Sequence, residues 1–507
     1  MKILEHGKKF LCTPECDDDT FVLTGLCLQG KKHPNGSYSV PDLLVNRVAL
    51  EQAISIPQPP QVSRGIAEIV PEGHFLRDYQ IRDHEKLIQL RASLNANRPG
   101  YGKTIEALLY AKAIGAERVL ALCPKIARLQ WSNQASNWQL GLSSEIASRL
   151  PQYQKSRLAI DNLEQLYNDK VFQLYKGTHW DLLIVDEIHR IKTGGKRAAQ
   201  ITTRVKSLPG VCRMGLTGSP ILDRPSDLWS ICDFLNPWYF GSSFRSFQER
   251  FCELEQNYYG SRFRGLHPDL RVQQLLKTTL ELFTVRNPKN LVGCGMLEQN
   301  VILEMAPKQR KVYNAIAQLA FKELDRLGIT VANAMAQGIR LQQVTSNPGK
   351  FDLDANPKFD WIEDFLSDSQ EKLVVFSNFR ETILALNQTL GAQVSTIHGG
   401  IRTRDREFSK ERFIEDPNCK VLTGTIGAMG ESLDGLQQVC HDVVLIDRSW
   451  SPEVNEQAID RVARFGQESF VNVYNLVMNK SIDQKVGKVV FEKAEDIRRI
   501  FEDDFGI

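Results

Sequence analysis

The stretch Leu182-Leu183-Ile184-Val185-Asp186-Glu187-Ile188-His189 decides the fold class of this chain. Its first four residues are all apolar, which is typical of a strand buried on both faces in a parallel sheet. Two carboxylates and an imidazole follow at once. Because ligands of α/β sheets bind at the carboxyl ends of the strands, the sequence predicts a functional site at the end of this strand.

A phosphate-binding loop is predicted upstream, in Asn97-Arg98-Pro99-Gly100-Tyr101-Gly102-Lys103-Thr104. Glycines let backbone amides turn onto phosphate oxygens, and the N-terminus of the helix that follows adds partial positive charge. Lys103 is expected to reach the β and γ phosphates of ATP, and the Thr104 hydroxyl to ligate Mg²⁺. Asn97 takes the place of the usual leading glycine of this motif. We predict that Gly100, Tyr101, Gly102, Lys103 and Thr104 bind ATP.

The adjacent carboxylates divide the chemistry between them. Asp186 is expected to hold Mg²⁺, directly or through water, and Glu187 to orient or deprotonate the attacking water. Phosphoryl transfer needs this division because its catalysis consists mostly of positioning and charge neutralisation. Adjacent carboxylates are common on protein surfaces, so the assignment depends on the phosphate loop upstream.

A third motif runs from Gln457 to Gln467. Gln457, Arg461 and Arg464 are spaced i, i+4 and i+7, which predicts that one helix face presents them together. The guanidinium fork suits phosphate oxygens, so Arg461 and Arg464 are candidates to stabilise the charge of the γ-phosphate. The alternative is an ordinary solvated basic helix face.

Composition limits the classes of protein that fit. The chain has 507 residues, 42% hydrophobic and 24% charged, which is ordinary for a globular protein of about three domains. Its net charge is +2, so any nucleic-acid surface must be a local patch. No apolar run is long enough to span a membrane, and the N-terminus lacks the apolar core of a signal peptide. We therefore expect a cytoplasmic or nuclear protein that is not secreted.

Five segments are predicted along the chain, with an α/β fold in two of them. Strand-like runs alternate with helical stretches over 71–235 and again over 346–480, which predicts two parallel-sheet lobes. The intervening residues, 236–345, lack such runs and are expected to form a mainly helical insertion. Residues 1–70 are expected to form a small β-rich accessory module, and 481–507 a charged amphipathic helix.

The accessory module contains Cys12, Cys16 and Cys27. A zinc site is one hypothesis for these thiols, but their spacing is not that of paired zinc-ligand motifs. Buried, reduced thiols in a small core are the favoured interpretation.

The motifs together resemble those of superfamily 2 helicase-type ATPases, specifically the Swi/Snf branch. The resemblance runs from about residue 74 to 480, with the motifs in order and suitably spaced. Its further members are Leu76 to Gln80, Cys123 to Lys125 with Trp131, Leu216 to Ile221, Phe376 to Arg380, and Gly427 to Leu433. Asp186 to Lys192 is close to the branch's D-E-A-H-R-I-K, with Ile188 in place of the commoner Ala.

This resemblance implies two RecA-like lobes with ATP in the cleft and nucleic acid across both lobes. It implies that Gln80 contacts adenine and that Gly430 and Gln457 also bind ATP. His189, Thr217 and Ser219 would couple hydrolysis to the nucleic acid. Candidate contacts to nucleic-acid phosphates are Lys125, Arg128, Arg402 and Thr425, together with Ser219. Such contacts give affinity without reading sequence.

Within the branch, Asp227-Leu228-Trp229 through Phe247 and Arg250-Phe251-Cys252 resemble the annealing-helicase (HARP-type) group. The compact chain would suit a bacterial or viral enzyme. Departures from the branch include Asn97 in the phosphate loop and Ala463 where His is common. The second departure bears on coupling between lobes more than on hydrolysis.

Three hypotheses for function follow. The favoured one is an ATP-dependent translocase on double-stranded or branched DNA, in replication, recombination or repair. The second is a helicase that separates strands of DNA or RNA, although the third motif favours DNA. The last is a clamp that binds nucleic acid under nucleotide control without processive hydrolysis. Protein partners, the preferred DNA structure and the role of residues 1–70 are not predicted.

Overall fold

The chain folds into two compact units, Met1–Lys289 with Glu495–Ile507, and Asn290–Ala494. The structure is a computed structural model. It describes residues 1–6, 8–16, 18–19, 22–35, 37–51, 58–59, 65–146, 157–191, 196–218, 220–221, 225–257, 260–288, 295–327, 331–369, 371–429, 435–464 and 466–501. None of the helices in this described part combines the length and the apolar character that crossing a membrane requires. The predicted segment boundaries at 70, 235, 345 and 480 stay predictions.

The first unit is built on a seven-stranded sheet, all of whose strand pairs are parallel. Its strands are β5 (Ala92–Asn95), β6 (Val119–Leu122), β7 (Ser144–Ile146), β8 (Leu158–Asp161), β9 (Trp180–Asp186), β10 (Gly210–Leu216) and β13 (Thr284–Val285). They lie in the order β13-β5-β10-β9-β6-β8-β7. Strands β5 and β6 are buried along their whole lengths, and β9 and β10 along most of theirs, because helices cover both faces of the sheet.

The helices before and between these strands supply the two apolar layers of this unit. They are α1 (Leu44–Ala49), α2 (Ile66–Ile69), α3 (Asp78–Leu87), α4 (Lys103–Ala113), α5 (Arg128–Asn137), α6 (Asp169–Lys176), α7 (Lys196–Lys206), α8 (Asp227–Leu235), α9 (Phe244–Phe251) and α10 (Leu270–Glu281). Helix α4 is almost fully buried, so its Ala- and Leu-rich sequence packs on several sides.

The N-terminal residues form a small antiparallel sheet with its own core. Its strands are β1 (Lys2–His6), β2 (Lys9–Thr13), β3 (Lys31–Lys32) and β4 (Tyr38–Pro41), in the order β1-β2-β4-β3. Cys12 and Cys27 are buried in that core, whereas Cys16 is exposed. The described residues contain no group of three or more His, Cys, Asp or Glu placed to hold a metal ion. The placement of Cys12 and Cys27 therefore matches small-core packing.

The segment for which mainly helix was predicted also contains strands. An antiparallel hairpin, β11 (Cys252–Asn257) and β12 (Gly260–Leu266), follows α9. Charged and polar residues interrupt the apolar residues of these two strands. The strands therefore lack the continuous apolar runs that the prediction used to recognise strands. Later in the same segment, β13 joins the sheet of the first unit, and β14 (Met296–Leu303) joins the sheet of the second. The helices α11 (Pro307–Leu327) and α12 (Val331–Ser346) come after them.

The second unit carries a six-stranded sheet, again with every pair parallel. Besides β14 its strands are β15 (Leu373–Ser377), β16 (Val394–Ile397), β17 (Val421–Thr425), β18 (Asp442–Leu445) and β19 (Val471–Met478), in the order β14-β19-β18-β15-β17-β16. The helices after α12 are α13 (Pro357–Asp368), α14 (Arg380–Leu390), α15 (Thr403–Glu415), α16 (Ile426–Met429), α17 (Pro452–Ile459) and α18 (Ile482–Phe501). Two parallel-sheet α/β units confirm the predicted fold class.

A buried ion pair ties helices of this second unit together. The Lys358 ammonium, on α13, donates to Asp483 Oδ2 at 2.8 Å and to the Ile446 carbonyl at 2.5 Å. Asp483 also accepts from the Thr345 hydroxyl at 2.8 Å. Full pairing of this kind is what makes a buried charge tolerable, so removal of one partner would leave the other uncompensated.

Candidate active site

The register of the first sheet brings the predicted motifs to one edge. Strand β10 lies between β5 and β9, and Leu216 pairs with Asn95 on one side and with Asp186 on the other. The phosphate loop leaves the end of β5, and the adjacent carboxylates stand at the end of β9. Parallel strands place all of these loops on the same side of the sheet.

The phosphate loop depends on two glycines in the left-handed region. Gly100 and Gly102 both have φ of 82°, which costs little only in glycine. Lys103 begins helix α4, and its ammonium donates to the carbonyls of Asn97 at 2.7 Å and Arg98 at 3.1 Å. The lysine charge is therefore held over the loop, where phosphate oxygens of a nucleotide would bind.

Gln80, the predicted adenine contact, lies directly against this loop. Its Oε1 accepts from the Arg77 amide at 3.1 Å, and its Nε2 donates to the Tyr101 carbonyl at 3.4 Å. A Cβ at position 102 would lie 2.5 Å from that Nε2, so a side chain there would displace the amide of Gln80, and the φ of 82° itself favours glycine. The Tyr79 hydroxyl donates to the same Tyr101 carbonyl at 3.2 Å. The adenine role itself stays a prediction.

Asp186 is held in place by two donors. Its Oδ2 accepts from the Trp131 indole at 3.0 Å, and its Oδ1 accepts from the Glu187 amide at 2.9 Å. Burial, and then repulsion from Glu187, raise the pKa of Asp186 to about 6. The fully buried Trp131 is thus a packing residue with a polar contact to the site. Sequence reasoning missed this contact.

Glu187 has φ of 49°, a left-handed conformation that is uncommon outside glycine. Its Oε2 lies 3.2 Å from His189 Nδ1. The same ring nitrogen shares a hydrogen bond of 2.9 Å with the Thr217 hydroxyl at the end of β10. The structure therefore brings His189 and Thr217 together as predicted, although coupling stays a prediction. Ser219 lies outside the described residues.

The donors around Asp186 suit Mg²⁺. Thr104 and Asp186 offer a hydroxyl and a carboxylate, which are hard oxygen ligands, and one or two carboxylates are enough where phosphates and water complete the shell. These residues fit the ion, which would be held by the two side chains together with the nucleotide.

In the second unit, the prediction of one helix face for Gln457, Arg461 and Arg464 is wrong. Helix α17 ends at Ile459, so only Gln457 lies on it. The amides of Arg461 and Val462 bond to carbonyls three residues back, at 3.3 and 2.9 Å, which tightens the chain into turns. Gly466, at φ of 87°, follows. Both arginines are partly buried in these turns.

The predicted nucleic-acid contacts differ in exposure. Lys125 and Arg402 are exposed, and Arg402 pairs with Asp405 at 2.9 Å. Arg128 is partly buried, with Nη1 3.7 Å from Asp161. Thr425 ends strand β17. Gly430 lies outside the described residues.

Two family models match the chain. The SNF2-related domain matches residues 79–350, and the helicase conserved C-terminal domain matches residues 357–466. The chain belongs to the Swi/Snf family of superfamily 2 ATPases. All the motifs described above fall within the two matched ranges or next to them.

Other Swi/Snf-family and helicase-type proteins are similar over most of the chain. The putative ATP-dependent helicase/translocase YwqA of Bacillus subtilis is 24% identical over 82% of this chain and 48% of its own length. The SWI/SNF-related regulator of chromatin subfamily A member 1 of Homo sapiens is 25% identical over 84% of this chain and 43% of its own. Protein CHROMATIN REMODELING 5 of Arabidopsis thaliana is 22% identical over 82% of this chain and 26% of its own length. The chain thus spans about a quarter to a half of these curated relatives.

Among solved structures, the Sulfolobus solfataricus SWI2/SNF2 ATPase core in complex with dsDNA is similar to this chain, with 20% sequence identity and a TM-score of 0.39. The similarity covers 87% of this chain and 99% of the Sulfolobus chain.

Proposed function

We propose that this protein hydrolyses ATP and couples the hydrolysis to movement along duplex or branched DNA. The observation that carries the proposal is the placement of the phosphate loop and the Asp186-Glu187 pair at the same edge of one sheet, at the ends of the two strands that flank β10. Family membership supports the same chemistry.

The residues of the first unit have separate roles in this proposal. Lys103 and the loop amides bind the phosphates, and Gln80 recognises the adenine. Glu187, held against His189 at 3.2 Å, orients the attacking water and takes up its proton. When bound by Thr104 and Asp186, Mg²⁺ would neutralise charge on the phosphate oxygens. In the second unit, Gln457, Arg461 and Arg464 are proposed to act on the same nucleotide.

DNA is the proposed track because the resemblance of the third motif favours it. Movement along that track is proposed because one relative is named a helicase/translocase. The exposed cations Lys125 and Arg402 offer local contacts to phosphates on a chain whose net charge is only +2. Phosphate contacts suit translocation, since a translocating protein must bind every sequence alike.

The finer proposal is work on branched DNA in replication, recombination or repair. It is supported by the resemblance of Asp227 to Trp229 and of Arg250 to Cys252 to the annealing-helicase group. In this chain those residues lie in α8 and around α9, packed among Phe240, Phe247 and Phe251.

The experiment is steady-state ATP hydrolysis with single-stranded, duplex, forked and four-way DNA, for the wild type and for Lys103→Ala. We expect stimulation of at least tenfold by duplex or branched DNA, and loss of hydrolysis in the variant. Hydrolysis by Lys103→Ala at the wild-type rate would overturn the site assignment. Tight ATP binding with turnover near zero would favour the nucleotide-controlled clamp instead.

A strand-displacement assay and a fork-annealing assay together distinguish the proposed translocase from the remaining alternative, a helicase that separates strands. A translocase that follows duplex DNA displaces a third strand without separating the duplex. Separation of the two strands of a plain duplex would favour the strand-separating helicase, on DNA or, with the matched RNA duplex, on RNA.

A further inference from the structure

A buried cluster of three polar side chains lies behind the phosphate loop. Asp83 is on helix α3, Asn97 is in the loop, and Asn287 follows strand β13. Asp83 Oδ2 accepts from both amides, at 2.6 Å from Asn97 Nδ2 and 2.6 Å from Asn287 Nδ2. The exposed fractions of Asp83 and Asn97 are 7% and 0%. Three segments distant in the sequence therefore meet on one carboxylate.

The amide of Asn97 has its orientation fixed by its partners. Its Nδ2 faces the Asp83 carboxylate, whereas its Oδ1 accepts from the Asn287 backbone amide and from Asn287 Nδ2, each at 2.9 Å. Its own backbone amide donates to Asn95 Oδ1 at 3.1 Å. A leucine would satisfy none of these groups, and an aspartate would set one carboxylate against another.

The residues around Asn287 reach the rest of the loop as well. Arg286 Nη1 donates to the carbonyl of Ala96 at 3.0 Å and to that of Gly218 at 3.1 Å. The Tyr101 hydroxyl donates to the Pro288 carbonyl at 2.8 Å. Three consecutive residues, 286–288, thus hold the loop at its beginning, at Asn97 and near its end.

Burial of the Asp83 carboxylate costs free energy, because the charge is removed from water. Burial raises the pKa of Asp83, and the hydrogen bonds from Asn97 and Asn287 act in the opposite direction. An apolar cluster would give the same compactness without that cost. What the polar cluster supplies is orientation, since its hydrogen bonds fix how the side chains of Asp83, Asn97 and Asn287 face one another.

We propose that Asp83, Asn97 and Asn287 are positioning residues for nucleotide binding, which hold the phosphate loop in the shape that takes up the phosphates. The inference rests on the proposed binding of ATP at this loop and adds residues that do not themselves touch the nucleotide. It predicts that disturbing the cluster raises the dissociation constant and the KM for ATP more than it lowers kcat.

An exchange of the two partners tests the proposal. Asn97→Asp alone opposes two carboxylates, and we expect affinity for fluorescently labelled ADP to fall at least tenfold. In the double variant Asp83→Asn with Asn97→Asp, an amide again faces a carboxylate, so affinity should return to within about threefold of the wild type. Rescue of this kind distinguishes positioning from a loss of local packing.

Asn46→Asp is the matched control. Asn46 is fully buried in the same unit, and its amide donates to the carbonyls of Leu28 at 3.0 Å and Pro41 at 2.9 Å, away from the loop. We expect this variant to unfold at a lower temperature and to bind ADP with unchanged affinity. Equal losses of affinity in Asn46→Asp and Asn97→Asp would overturn the positioning role.

The outcomes separate this inference from the proposed function. If the wild-type protein binds no ADP or ATP, the proposed function fails. If it binds them and folded Asn97→Asp binds equally well, only the inference fails. Should Asn97→Asp not fold, Asn287→Ala at a partly buried position decides: weaker ADP binding supports the inference, and unchanged binding overturns it.

Discussion

The two units use the same parallel-sheet scaffold but connect a central strand to its helix differently. In the first unit, residues 96–102 separate β5 from α4, which is a loop of seven residues. In the second unit only residues 378–379 separate β15 from α14. There Asp447 Oδ1 accepts from the Asn378 amide at 2.7 Å, and its Oδ2 accepts from the Ser377 hydroxyl at 2.5 Å.

This difference shows how one scaffold can serve two purposes. The long glycine-containing loop presents a lysine and is held from behind by Asn97 and its partners, so an external anion can be taken up. The short connection is closed by a carboxylate of the protein itself. The second unit thus satisfies internally the donors that the first unit is proposed to offer to a phosphate.

The largest expected effect in this comparison of the two units is the loss of ATP hydrolysis in Glu187→Gln. Without a carboxylate to orient the water and accept its proton, ATP hydrolysis should fall by roughly a hundredfold or more. Binding of ADP should stay within about threefold of the wild type, because the phosphate loop is unchanged. Glu281→Gln is the control, since Glu281 is exposed and pairs with Lys277 within helix α10. Normal hydrolysis by Glu187→Gln would remove Glu187 from the mechanism.

Next in size is the effect of adding a methyl group at Gly102. The new Cβ would meet Gln80 Nε2 at 2.5 Å and require a strained φ, so affinity for ADP should fall about tenfold. Gly391→Ala in the second unit is the matched control. Its φ is +67° and its ψ is −135°, and nothing lies within 4 Å of the added Cβ, so it should cost about 1–3 kcal/mol of stability and no affinity. Isothermal titration with ADP measures the difference. Equal affinities for both variants would contradict the role of Gly102.

A smaller effect is expected where the second unit closes its own connection. Asp447→Asn replaces one of two acceptors with a donor, which leaves either Ser377 or Asn378 without its partner. The free energy of unfolding should fall by about 1–3 kcal/mol, measured by urea denaturation. Binding of ADP should not change, because the phosphate loop belongs to the first unit. A loss of ADP affinity in a folded variant would mean that the two connections are not independent.

The smallest effect concerns Glu106, which is fully buried on α4 and accepts from the amide of Asn95. Burial, and then repulsion from Asp83, raise the pKa of Glu106 well above its ordinary value of 4.5. The folded state therefore keeps a proton that the unfolded chain releases. The contribution of Glu106 to stability is thus largest at low pH, and it falls by up to about 1.4 kcal/mol per pH unit as pH rises toward the folded pKa.

Glu106→Gln removes this titration. The variant should gain about 1 kcal/mol or more relative to the wild type at pH 8, and less at pH 5.5. Thermal unfolding at the two pH values measures the gain. A constant difference between variant and wild type would show that Glu106 does not keep its proton.

The sequence predicted features that depend on neighbouring residues. Buried strands such as Leu182 to Val185 could be recognised because burial on both faces requires a continuous apolar run. The phosphate loop could be recognised because glycines and a lysine must stand at fixed spacing. The end of α17 could not, since helical spacing continues through Arg461 and Arg464 while turn hydrogen bonds and Gly466 end the helix first.

By itself, then, the sequence determined the two α/β folds, the motifs and the strand that carries Asp186 and Glu187. Only the tertiary structure decided which distant side chains support those motifs. Trp131 reaches Asp186 from a helix 55 residues away in sequence, and Asn287 reaches Asn97 across 190 residues. Such contacts leave no local pattern, because a single polar residue in a loop is compatible with any partner until the chain folds.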